Sequence, residues 1–129
     1  MILDTTFLLD LLAADPGAVK KSQELDKQNE ALFTTAISVF ELWQGISDIK
    51  DKKKLEKIDI LLDNLGLFPL DKESAKLGGK IHSELYSQGL PIQPEDSMIA
   101  GICLKYGKKV LTRNVKHFSR IVTLEIETY

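Results

Sequence analysis

Short apolar runs alternate with longer amphipathic stretches along the whole chain, and this rhythm restricts the available folds more than any other feature. Strands need few residues and helices many, so the alternation describes βα units and a mostly parallel sheet. Ile2-Leu3-Asp4 is a minimal first strand, followed by a short helix from Phe7 to Ala13 that stops near Pro16. A second helix is predicted over Gly17 to Gln28, then a strand at Leu32-Phe33-Thr34. Thr34 or Thr35 can cap the next helix, Ala36 to Ser47. Asp51 to Asn64 reads as another helix with a broad apolar face, ended by Gly66. Leu67-Phe68-Pro69-Leu70 is a third strand, and its proline, unable to donate to a ladder, predicts a place at the sheet edge. Asp71, with Ser74 three residues on, caps a helix to about Gln88. Pro94 suits the first turn of a helix running to Tyr106, which Gly107 ends. Lys109 to Thr112 and Ile121 to Leu124 are the expected last two strands.

A chain of 129 residues with 43% apolar content suits one folded domain, residues 1–129, with one core. No apolar stretch reaches the roughly 18 residues of a membrane span. The opening residues lack a basic region followed by a cleavable apolar segment, so a cytoplasmic protein is expected. Cys103 lies in an apolar helical run and reads as a buried core thiol. His82 and His117 have no neighbouring Cys or His, which argues against zinc. Gly78-Gly79 stands inside a helical stretch and predicts close packing, not a phosphate loop. Charge is unevenly spread: Lys105, Lys108, Lys109, Arg113, Lys116 and Arg120 fall between Ser97 and Leu124, where no acid occurs. Such a segment suits a polyanion, and equally a solvated surface.

Three acids stand where burial is expected. Asp4 ends the first strand, Glu41 is the only charge between Ala31 and Ser47, and Asp96 opens a helical stretch. Buried carboxylates are costly unless a cation compensates them, and few basic residues lie beside these in sequence. A hard divalent cation such as Mg²⁺ or Mn²⁺, which prefers oxygen ligands, would do so. Each acid also has a plainer reading. Asp4 could simply cap the first helix. Glu41 could be an ordinary exposed glutamate, although small Ser38 and Gly45 beside it leave room for a ligand. Asp96 shares a helical face with Ile99, Ala100 and Cys103, which turns its carboxylate inward. Asn114 could close a turn or offer a neutral oxygen to a metal-bound water. Asp10, Asp15, Asp59, Asp63 and Asp71 read as helix-surface or capping residues. Phe40, Leu42 and Trp43 read as core, with a groove for a partner helix as the alternative.

Four segments in order resemble one known family. Met1-Ile2-Leu3-Asp4-Thr5-Thr6-Phe7-Leu8 resembles the opening of PIN-domain proteins, especially the VapC toxins of toxin–antitoxin pairs. Ser38-Val39-Phe40-Glu41-Leu42, then Pro94 to Ala100, then Leu111 to Phe118 resemble the family's second, third and fourth motifs. The likeness covers essentially the whole chain. It implies a three-layer α/β/α fold with a five-stranded parallel sheet, and Mg²⁺- or Mn²⁺-dependent endoribonuclease activity on RNA. A homodimer and a cognate VapB-type antitoxin are implied as well. By motif match, Asp4, Glu41 and Asp96 would be the acidic metal-site residues, supported by Thr6, Thr112 and Asn114. Many relatives have aspartate at the Asn114 position and others asparagine, a departure that leaves activity open and puts a second tightly held metal in doubt. His117 stands where an acid is frequent and has no assigned role. Arg113, Lys116 and Arg120 are candidate phosphate contacts that would position RNA without reading its sequence.

Three other readings compete with this one. A DNA or structure-specific nuclease would use the same acids. Such chains are normally larger, with extra segments to grip duplex or flap, for which 129 residues leave little room. A degenerate PIN domain would bind RNA or a protein partner without cleavage. A phosphoacceptor receiver-like module is also a small parallel α/β domain with acids near Mg²⁺. Receivers usually carry an acidic pair after the first strand, whereas Asp4 is followed here by Thr5-Thr6.

Overall fold

The computed structural model describes Met1–Tyr129 as five strands and seven helices. They follow in the order β1 (Ile2–Leu3), α1 (Thr5–Leu12), α2 (Pro16–Gln28), β2 (Phe33–Thr35), α3 (Ala36–Ile46) and α4 (Lys52–Asp63). The chain continues through β3 (Gly66–Phe68), α5 (Lys72–Ser87), α6 (Pro94–Tyr106), β4 (Val110–Leu111), α7 (Val115–Phe118) and β5 (Ile126–Glu127). All strand pairs are parallel, in the order β3-β2-β1-β4-β5.

Alternation within the central strands separates the two faces of the sheet. Ile2 and Val110 join one core with Leu85, Ile99, Ile102 and Phe118 of α5, α6 and α7. Leu3 and Leu111 join the other, with Phe7, Leu8, Ala18, Leu25 and Leu42 of α1, α2 and α3. Helices therefore cover both faces, and the fold is the three-layer α/β/α sandwich that the motifs implied. The order excludes the receiver-like reading, since that architecture runs 2-1-3-4-5. None of the helices is long and apolar enough to cross a membrane.

Local capping follows the sequence rules closely. The Thr35 hydroxyl accepts from Ser38 N at 3.1 Å and starts α3, while Asp71 accepts from Ser74 N at 2.9 Å and starts α5. Pro94 opens α6, and Gly107 closes it in the left-handed conformation at φ 61°. Gly66–Phe68 is an edge strand, as Pro69 predicts, although the proline itself follows the strand. Gly78 packs against Ser97 and Met98 of α6, whereas Gly79 touches nothing beyond its own helix, so the close-packing expectation holds for one glycine of the pair.

The last strand falls elsewhere than the sequence suggests. Ile121 to Leu124 is a turn, and β5 forms at Ile126–Glu127, in register with Val110 and Leu111. Ile121 and Leu124 are buried while Val122 is 96% exposed, so the apolar residues anchor the turn at a spacing of three instead of alternating. The single turn α7 was also not foreseen. Phe40 and Trp43 depart from the core reading at 61% and 41% exposure; only Leu42 of that trio is buried. Cys103 is fully buried, and burial pushes its thiol pKa up to about 12, as befits an inert core sulfur.

Candidate functional site

Strand order reverses between β1 and β4, and in open parallel sheets the crevice beyond that point is where ligands bind. Asp4 follows β1 there and Thr112 follows β4. Asp4 occupies the N-cap position of α1, yet its carboxylate makes no capping bond. Instead Asp4 Oδ2 accepts from Thr6 Oγ1 at 2.9 Å and Thr112 Oγ1 at 2.7 Å. Thr112 Oγ1 in turn accepts from Asn114 N at 2.9 Å, and Thr6 Oγ1 from Arg113 N at 3.1 Å. The two hydroxyls thus tie the loop after β4 to the start of α1, around a carboxylate that is 2% exposed.

Glu41 reaches the crevice from α3. Its Oε1 accepts from Thr5 Oγ1 at 2.8 Å. Burial raises the Glu41 pKa, the Thr5 bond opposes that, and the charges of Asp4 and Asp96 add to it. Asp96, on the first turn of α6, is buried with Ile99, Ala100 and Cys103 as its spacing predicts. Its Oδ2 receives Asn114 Nδ2 at 3.2 Å and His117 Nδ1 at 3.0 Å. Burial raises its pKa, the His117 bond opposes the shift, and Asp4 adds to it. Asp4 and Asp96 therefore lie close enough to Glu41, and Asp4 to Asp96, to disfavour ionisation there. His117 Nδ1 lies 3.0 Å from Asp96 Oδ2, to which it can donate, and 3.0 Å from Asn114 Nδ2, from which it can accept. The Asn114 side chain donates to Asp96 through its Nδ2.

The same division of labour recurs in all three acids. One oxygen is held by protein donors, and the other (Asp4 Oδ1, Glu41 Oε2, Asp96 Oδ1) has no protein partner. No buried side-chain oxygen in the protein lacks a partner, so these three free oxygens reach solvent. No Lys or Arg forms an ion pair with any of them. These donors suit a hard divalent cation, although no three His, Cys, Asp or Glu side chains close into a ready cage for one. Mg²⁺ accepts that arrangement, because waters and substrate phosphates share its coordination with one or two carboxylates.

The basic residues are deployed less uniformly than the sequence suggested. Arg113 stands beside the crevice, 62% exposed, and pairs with Asp10 at 3.0 Å. Lys116 is exposed on α7. Arg120 donates to Pro91 O at 2.6 Å and is not brought into contact with the three acids. Lys105 is bound by Asp71, and Lys109 lies 3.9 Å from Glu127. Sequence reasoning missed Thr5, Asp10, His117 and Tyr129 in this region. Asp10 carried a usable signal, an acid inside the apolar run of α1, which is the reasoning that singled out Glu41.

Fold and crevice together define a three-layer α/β/α protein with an acidic site, unpaired by any Lys or Arg, at its switch point. The PIN domain family model matches residues 1–124, and the chain belongs to that family. Ribonuclease VapC of Rickettsia bellii is 30% identical over 132 residues, spanning 99% of this chain and 95% of that protein. The tRNA(fMet)-specific endonuclease VapC of Salmonella typhimurium is 26% identical over 129 residues, spanning 99% and 96%. Among solved structures, VapBC2 from Rickettsia felis bound to a DNA fragment from its promoter superposes with a TM-score of 0.87 at 27% identity, covering 99% of this chain and 97% of that one.

Proposed function

We propose that the chain is a Mg²⁺-dependent endoribonuclease, with Mn²⁺ able to substitute, and that it acts in the cytoplasm as the toxin of a VapBC-type pair. The observation that carries this reading is the trio of free, solvent-facing carboxylate oxygens on Asp4, Glu41 and Asp96, brought from three elements to one crevice with no Lys or Arg paired to them. Full-length similarity to named VapC ribonucleases supports RNA as the substrate.

Asp4, Glu41 and Asp96 would hold the cation by those free oxygens. Bound there, the ion supplies Lewis acidity toward water and positive charge that lets an anionic backbone approach three carboxylates. Thr6 and Thr112 orient Asp4, Thr5 orients Glu41, and Asn114 with His117 orients Asp96, so no free oxygen needs to reorganise when substrate arrives. Arg113 and Lys116 contact RNA phosphates and set the register of the strand. Arg120, held at Pro91 O through one terminal nitrogen, keeps its other donors for a phosphate farther from the three acids. A groove of about 530 Å³ between α3 and α4, lined by Val39, Trp43, Leu62, Leu65 and Leu67, suits an apolar helix of a VapB-type antitoxin. The active form is a homodimer.

Incubation with bulk tRNA and rRNA under Mg²⁺, Mn²⁺ or EDTA, beside an Asp96→Asn control, tests the reading. Discrete products that need the ion and vanish in the control are expected. A folded protein that binds RNA but yields no products with either ion would overturn it in favour of a non-cutting RNA-binding domain.

A further inference from the structure

One buried carboxylate near the crevice takes no part in the site described above. Asp10 lies on α1, the helix that Asp4 opens, and its side chain is only 12% exposed. Its Oδ2 accepts from the Tyr129 hydroxyl at 2.6 Å and pairs with Arg113 at 3.0 Å. The Tyr129 ring packs edge-on against buried Phe7, with centroids 4.9 Å apart and planes at 77°, which fixes the hydroxyl in turn. Arg113 is pinned at its other end as well, because its backbone N donates to Thr6 Oγ1, the hydroxyl that also holds Asp4.

Resting on the nuclease reading, we infer that Asp10 is a positioning residue for Arg113: with Tyr129 it clamps the guanidinium at the rim of the acidic crevice, ready for an RNA phosphate. A guanidinium carries five N–H donors in a rigid fork, and the Asp10 contact is made through one terminal nitrogen, so donors remain for a phosphate. A free arginine on an exposed rim must be ordered when RNA binds, at a cost of about 0.5–1.5 kcal/mol for such a side chain. Here the ion pair to a buried, Tyr129-held carboxylate draws the guanidinium to one place before RNA arrives. The clamp gives Arg113 a buried anchor.

The test is a binding cycle on the full chain, with Asp96→Asn present throughout so that cleavage does not interfere. Labelled bulk tRNA is titrated with Asp10→Asn, Arg113→Gln, the double variant and Tyr129→Phe across a salt series. Removing a carboxylate makes the surface more positive and by charge alone tightens RNA binding. Asp10→Asn is nevertheless expected to weaken binding about two- to tenfold, the ordering cost returned by freeing one side chain. Arg113→Gln should weaken it further and flatten the salt slope by about 0.7 per lost contact. The double variant should match Arg113→Gln alone, which a merely structural role for Asp10 would not produce. Asp10→Asn binding as tightly as its parent, or losing the same factor whether or not Arg113 is present, overturns the clamp. Should Asp10→Asn not fold, Tyr129→Phe in the same cycle carries the same expectation and the same refutation. Wild-type protein that cuts no RNA overturns the nuclease reading, while wild-type cleavage with an unaffected Asp10→Asn affinity overturns the clamp alone.

Discussion

Replacing Gly101 by alanine would place a methyl group where α5 and α6 touch backbone to backbone. A Cβ at Gly101 would lie 2.3 Å from Ser74 O, 2.6 Å from Gly78 N and 2.9 Å from Gly78 Cα. Ordinary contact begins at 3.4 Å, so the helices must part by about 1 Å, and no side-chain rotation relieves a backbone clash. Overpacking of this kind costs about 1–3 kcal/mol, and the rigid neighbours put Gly101 at the upper end. Alanine returns about 1 kcal/mol through helix propensity. A net loss of about 2 kcal/mol remains, which for a domain of this size lowers the thermal midpoint by roughly 6–10 °C. Asp96 rides on the same helix, so parting α6 from α5 also shifts its carboxylate against Asn114 and His117. Cleavage by the folded fraction should therefore fall as well. Gly79→Ala is the internal comparison: nothing lies within 4 Å of its Cβ, and a gain of up to about 1 kcal/mol is expected. Circular dichroism melts and single-turnover RNA cleavage on both variants decide the matter. Gly101→Ala melting at or above wild type, or Gly79→Ala costing as much, would refute the packing argument.

Other expectations follow from the site. Thr112→Val keeps the shape but strips a donor from Asp4 and orphans the Asn114 N–H, a loss of about 2–4 kcal/mol measurable by urea denaturation. An unchanged midpoint would show that water replaces the hydroxyl. Burial raises the pKa of both Glu41 and Asp96, so between the ordinary carboxylate range near pH 4 and their raised values the folded protein binds more protons than the unfolded chain. These two groups therefore make metal-free stability fall as pH rises through that window. Asp96→Asn should show a shallower fall than wild type in midpoints taken from about pH 4 to pH 7, and identical slopes would contradict the assignment. Mg²⁺ or Mn²⁺ should raise the melting temperature of wild type but much less that of Asp4→Asn, since only a native-state ligand stabilises by mass action. Equal shifts in the two proteins would place the ion elsewhere.

How much of this was readable beforehand depends on the range over which each interaction acts. Caps and inward faces obey rules spanning a few residues, so Thr35, Asp71, Pro94, Gly107 and the buried face of Asp96 were all legible. The Ile121 to Leu124 run failed because β-branched residues at an alternating-looking spacing also suit an anchored turn, and pairing with β4 decided which segment became the strand. Phe40 and Trp43 read as core on hydrophobicity alone, but Trp43 lines the open groove beside α4 and Phe40 stands in solvent.

Taken alone, the chain determined its alternating βα rhythm, its helix ends and the three acids that burial would make costly, because propensity, capping and periodicity are properties of neighbouring residues. Tertiary structure decided what those acids do. Strand order set β4 beside β1, and only then could Thr112 occupy the Asp4 carboxylate, which stands at the N-cap position of α1. The same closure brought Tyr129 and Arg113 onto Asp10 across more than a hundred residues, a meeting that no local rule encodes.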